Sequence, residues 1–74
     1  MNMVVVNSSL VRAIGYDRHT TTLRIELVSG SSYDYYEVPQ SVYEKMMRSP
    51  SKGEYLNETI KPNYKFELVE ESVR

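Results

Sequence analysis

The chain reads as an α+β domain: an antiparallel three-stranded meander, then two short helices on one face of the sheet, then a possible short C-terminal strand. Three observations predict this. Apolar and polar residues alternate with period two in three successive segments separated by short turns. Pro39 then marks a switch to helical spacing. A Ser-x-x-Glu signature at Ser51 opens a second helical segment.

The elements follow in order. Residues 1–6 form a lead-in, in which Val4 to Val6 add a short strand or fray. From Leu10 to Tyr16, strict alternation puts Leu10, Arg12, Ile14 and Tyr16 on one face and Val11, Ala13 and Gly15 on the other. Asp17-Arg18-His19-Thr20 is a turn, because an Asp side chain bonds its own backbone two residues on. Thr22 to Val28 carries Leu23, Ile25 and Leu27 on one face. Ser29-Gly30-Ser31 supplies the next turn, and Ser32 to Val38 is the third strand. Tyr33 and Tyr35 share one of its faces, and Asp34 and Tyr36 the other.

Val42, Tyr43, Met46 and Met47 recur at helical spacing, and Pro50 ends this helix at or before Ser49. The Ser51 hydroxyl caps a second helix from Lys52 to about Thr59, which points Tyr55, Leu56 and Ile60 inward. Pro62 stops it. Tyr64, Phe66 and Leu68 alternate as an edge strand or extended segment, and residues 70–74 are read as a disordered tail. The expected core is Leu10, Ile14, Leu23, Ile25, Leu27, Tyr33, Tyr35, Val38, Val42, Met46, Leu56 and Ile60.

Composition bounds the function classes. Seventy-four residues make one domain over 7–69 with a thin core. No cysteine is present, so neither disulfides nor a thiolate metal site supports it. No stretch reaches the ~20 apolar residues of a membrane span. Met3-Val4-Val5-Val6 is too short for a signal sequence, so a soluble cytoplasmic protein with no membrane partner is expected. The net charge of −1 carries no global signature of nucleic-acid binding. Residues 41–65 hold five cations against three anions, a mild local excess.

The segments Asn7-Ser8-Ser9, Ala13-Ile14-Gly15-Tyr16-Asp17, Thr22-Leu23-Arg24-Ile25 with Gly30, Tyr33-Asp34-Tyr35, Val38-Pro39, Val42-Tyr43 and Ser51-Lys52-Gly53-Glu54-Tyr55-Leu56-Asn57, with Ile60-Lys61 and Tyr64, resemble the KTSC domain in order and spacing. That family is named for its place at the C-terminus of some lysyl-tRNA synthetases. It also occurs as stand-alone small bacterial or phage proteins. The resemblance spans roughly residues 7–66, and its hallmark is the Tyr33-x-Tyr35 pair. The family has no assigned activity and RNA binding has been suggested for it, so the resemblance carries over no catalytic residue. A small binding module without cofactor or metal is expected, with RNA, tRNA-like or single-stranded, as one candidate partner. Pro50 departs from the family pattern and shortens the first helix.

Two candidate surfaces follow. Tyr33 and Tyr35 are either rings on which bases stack or core residues under Val42 and Met46. In the second case Tyr36, on the reverse face, is the more exposed ring. Ser51, Lys52, Gly53 and Asn57 lie at a helix start, where free N–H groups favour an anion. Arg48, Lys61 and Lys65 would extend that patch; otherwise it is an ordinary cap with surface lysines. The Gly-x-x-x-x-Gly-Lys phosphate loop is absent. Asn7-Ser8-Ser9 makes a turn or touches a ligand. His19 is alone, short of the three or four ligands a zinc site needs, and is read as solvated. No serine has a nearby imidazole base, so an enzyme is not expected. The alternative to RNA is another protein or a second copy, met by an exposed tyrosine patch or a sheet edge.

Overall fold

In a computed structural model of the chain, which describes residues 1–70, five strands form one antiparallel sheet in strictly sequential order. They are β1 (Met3–Val5), β2 (Val11–Asp17), β3 (Thr22–Leu27), β4 (Ser32–Tyr35) and β5 (Phe66–Glu70). Between β4 and β5 run α1 (Gln40–Arg48) and α2 (Lys52–Tyr55), which continues without a break into a π-helical turn, Leu56–Ile60. The α+β plan with an antiparallel sheet and two short helices matches the expectation. The three-stranded count does not, because the lead-in pairs with β2 and the segment after Tyr64 pairs with β4. The expected tail over 70–74 lies outside the described residues apart from Glu70, which ends β5.

The registers fix which side chains share a face, since directly opposed residues point the same way. On the helix-covered face, Ile14 opposes Ile25, Ile25 opposes Tyr33, and Tyr33 opposes Leu68. Tyr16, Leu23, Tyr35 and Phe66 form the neighbouring row. Strict alternation fails in β2. A bulge between Val11 and Ala13 inserts Arg12 as an extra residue, so Val11 and Ile14 both turn inward while Arg12 is exposed. A bulge shifts the side-chain phase by one, and nothing in the alternation of this segment signals it.

The core joins Val11, Ile14, Leu23, Ile25 and Tyr35 of the sheet to Val38, Met46, Leu56 and Ile60. Leu10, Leu27, Tyr33 and Val42, expected inside it, are half-buried around its margin. Tyr16 clamps α1 to the sheet: its ring stacks on Tyr43 with centroids 4.9 Å apart, and its hydroxyl donates to the Val38 carbonyl at 2.6 Å. Tyr55 donates to the Val42 carbonyl at 3.4 Å and ties the second helix to the first.

The turns use the expected chemistry. The Asp17 carboxylate accepts the His19 N–H at 2.9 Å, which holds its pKa below the ordinary carboxylate value. Gly30 takes φ 108° in the β3–β4 turn, a conformation that suits glycine. The open face of the sheet is charged. Arg24 grips Asp34 through two bonds of 2.7 and 2.9 Å, and Arg12 approaches Glu26 at 3.8 Å. No helix among the described residues is long and apolar enough to cross a membrane.

Candidate functional site

The two polar motifs of the sequence, Asn7-Ser8-Ser9 and Ser51-Lys52-Gly53, meet in space. Asn7, Ser8, Ser9 and Leu10 form one wall of an open cleft of about 610 Å³. Pro50, Ser51, Lys52, Gly53, Glu54, Asn57 and Glu58 form the other. The Ser8 hydroxyl accepts the N–H groups of Leu10 and Val11, both at 3.2 Å, and bends the chain into β2. The Ser51 hydroxyl accepts the Glu54 N–H at 3.3 Å. The reciprocal half of the capping box is made otherwise: the Ser51 N–H donates to the Ser49 hydroxyl at 3.2 Å.

Gly53 is where the two walls touch. A Cβ placed there would lie 3.2 Å from Leu10 Cβ and 3.5 Å from Leu10 Cδ2. The missing side chain admits Leu10, not a ligand backbone. The Lys52 ammonium is also engaged, donating to the Ser49 carbonyl at 2.8 Å, just past the last turn of α1. With Glu54 and Glu58 in the same wall, one occupied cation faces two carboxylates. This balance does not favour an anion. Asn7, Ser9 and Asn57 are exposed.

The remaining cations do not join this cleft. Arg48 is exposed on α1 and approaches Glu44 at 3.9 Å. Lys61 borders a different cavity, beside Tyr33, Tyr35 and Phe66. Lys65 borders a third, with Tyr36 and Tyr64. The four cations of the basic patch drawn from the sequence therefore lie in four separate places in the fold.

The tyrosines divide as well. Tyr35 is 2% exposed and presents no ring face to solvent. Tyr33 is half-buried and meets the edge of Phe66 at 5.7 Å. Tyr36, on the reverse face, donates to the Glu67 carboxylate at 2.7 Å; that bond, more than burial, raises its pKa. No two of these rings offer adjacent free faces for stacked bases. His19 is exposed, and no cluster of three or more metal-ligating side chains occurs among the described residues.

The sequence reading offers a sheet edge as a contact surface but places no site residue on the β5 margin. Phe66, Leu68 and Val69 are 56%, 47% and 46% exposed on the last strand of the sheet. The alternation Tyr64-x-Phe66-x-Leu68 signals a strand there, but not that the helices stop short of it. The Tyr36 N–H donates to the Lys65 carbonyl, so Lys65 and Glu67 turn their backbone groups toward β4. By the alternation of an antiparallel ladder, Phe66 and Leu68 turn theirs outward. A register shift follows Leu68, so the straight part of this edge runs from Lys65 to Leu68.

Comparison with known proteins adds the family context. The profile of the KTSC domain matches residues 7–64. A lysine–tRNA ligase of Nostoc punctiforme is 46% identical over 61 residues, which are 82% of this chain but only 11% of the ligase. A protein of Tsukamurella paurometabola is 35% identical over 63 residues and is covered over 94% of its length. The crystal structure of a KTSC domain protein from Yersinia pestis superposes with a TM-score of 0.87 at 28% identity, covering 93% of this chain and 97% of that one.

Proposed function

The chain belongs to the KTSC domain family, and from that premise we propose that it is a small non-catalytic binding module whose contact surface for a partner protein is the β5 margin. One observation carries this reading: three large apolar side chains are exposed on a terminal strand whose outer edge is unpaired among the described residues. An extended partner segment can add to such an edge through backbone bonds, while side-chain contacts select it. The outward groups of Phe66 and Leu68 supply the bonds, and Phe66 and Leu68 supply the apolar contact. A second copy of the chain is one such partner. Residence in the cytoplasm belongs to the same reading and rests on the cysteine-free composition.

The test is photo-crosslinking in producing cells from a reactive residue placed at position 68, with position 45 on exposed α1 as control. A discrete crosslinked polypeptide from 68 and not from 45 supports the reading. Equal or absent crosslinking at the two positions sinks it.

A second reading, contact with RNA, is favoured by the relatives alone, since the aligned segment is part of enzymes named for their action on tRNA. Labelled protein titrated with a short mixed-sequence RNA, at low and then physiological salt, decides it. Localised shifts that fade with salt support an RNA module. An unchanged spectrum at both salts removes that reading.

A further inference from the structure

The cavity beside β5 differs in kind from the polar cleft. It holds about 250 Å³ and is lined by Leu27, Tyr33, Tyr35, Leu56, Lys61 and Phe66. Leu27 and Leu56 supply aliphatic walls. Phe66 forms the outer rim, edge-on to Tyr33 and tilted against Tyr35 with centroids 5.5 Å apart. A dry apolar cavity of about 150 Å³ accepts a benzene ring, so this one has room for a ring and a small polar head.

Its polar side chains, the two tyrosines and Lys61, can each donate a hydrogen bond. Within the described residues the donating tyrosine hydroxyls are those of Tyr16, Tyr36 and Tyr55; the hydroxyls of Tyr33 and Tyr35 have no partner there. The described ion pairs use Arg12, Arg24 and Arg48, and Lys61 is in none. Tyr35 is the telling case. It is 2% exposed and lines the cavity, yet among the described residues no sealed polar side-chain atom lacks a partner, so the unpartnered Tyr35 hydroxyl keeps some contact with solvent. Burial, and then the adjacent Tyr33, raises its pKa above the ordinary tyrosine value. Among the described residues no carboxylate lines the cavity.

We propose that this cavity binds a small aromatic carboxylate, with its ring between Leu27, Leu56 and Phe66 and its carboxylate on the Tyr35 hydroxyl and the Lys61 ammonium. Two donors and an apolar slot match an anionic acceptor on a flat apolar body. The cavity shares Phe66 with the β5 edge, but its donors, Tyr35 and Lys61, take no part in the contact proposed for a partner there.

The experiment is an NMR titration of the labelled full chain with phenylacetate, with neutral benzyl alcohol as the matched control. Saturable shifts confined to Tyr33, Tyr35, Leu56, Lys61 and Phe66 are expected, with the acid binding at least about fivefold tighter than the alcohol. Lys61→Gln and Tyr35→Phe are each expected to weaken the acid by about fivefold or more and leave the alcohol unchanged. Equal affinity for acid and alcohol, or acid binding that neither variant changes, overturns the proposal. So does the lack of saturable shifts in the folded protein. A peptide ending in phenylalanine that binds more than about tenfold tighter than phenylacetate also overturns it, by assigning the cavity to a chain terminus.

Discussion

Leu10 lies directly over Gly53, so that a single added carbon on the glycine would come within 3.2 Å of Leu10 Cβ. Through this contact the entry to β2 and the start of α2 become two walls of one cleft. Leu10 has little freedom to retreat, because the Ser8 hydroxyl holds its N–H and that of Val11.

Gly53→Val is therefore expected to overpack this junction and destabilise the fold by roughly 1–3 kcal/mol. Gly15→Ala is the contrast. A Cβ there meets the sulfur atoms of Met3 and Met1, the far ends of flexible side chains, and a change within about 0.5 kcal/mol is expected. Urea denaturation of both variants checks this. A glycine 53 variant as stable as the parent would show that the walls slide freely.

The Tyr16 hydroxyl donates to the carbonyl of fully buried Val38 at 2.6 Å. Tyr16→Phe removes this donor and is expected to cost about 1 kcal/mol. Tyr35→Phe, without a donated bond to lose, is expected to change stability by less than about 0.5 kcal/mol. Thermal and urea unfolding of the pair give the comparison, and equal losses would contradict it.

Arg24 and Asp34 sit directly opposite on β3 and β4 and share two charge-assisted bonds. Both side chains keep some solvent access, at 36% and 12%, which limits the strength of the pair. A double-mutant cycle of Arg24→Ala and Asp34→Ala is expected to give a coupling of about 1 kcal/mol. A coupling of zero within error would reduce the pair to a crystal-like surface contact.

Asp17 makes a pH prediction whose sign follows from its turn. The His19 N–H stabilises its ionised form, so its pKa in the folded state lies below the ordinary value of 3.8. The contribution to stability is present above that value and is lost as pH falls through the lower, folded pKa. Carboxyl-detected NMR should find Asp17 titrating below an unstructured aspartate. Asp17→Asn should flatten the acid limb of stability against pH. An Asp17 titration at or above the ordinary value would refute the turn assignment.

These residues also explain how much of the molecule is legible in the sequence. Leu23, Ile25 and Leu27 alternate without interruption, and Pro39 and Pro50 bracket α1, so β3 and the first helix are readable from local chemistry. Arg12 is not, because a bulge depends on how β2 pairs with β3, and its sequence alternates normally. The edge strand β1 has three residues in an unbroken apolar run, which lacks the contrast that period-two reading needs, while the alternation of β5 shows a strand but not the one it pairs with. Among the candidate sites, Ser51 and Asn7 are visible as separate polar motifs, while their meeting is a tertiary fact carried by Leu10. Lys61 shows the opposite error. Grouped with Lys52 by sequence, it lies instead beside Tyr33 and Tyr35, since Pro62 ends the helix and turns the chain toward β5.

The strictly sequential strand order bears on how the chain folds. Each of the first three ladders closes a short loop, so β1 to β4 can pair through local contacts that cost little chain entropy. The β4–β5 ladder alone must wait for the whole helical excursion from Tyr36 to Lys65. That ladder is expected to form last and open first. In native-state hydrogen exchange, the Tyr36 amide, which donates to Lys65, should exchange through a smaller opening than amides pairing β2 with β3. The margin that carries the exposed apolar strand would then also be the part of the sheet most easily lent to another chain.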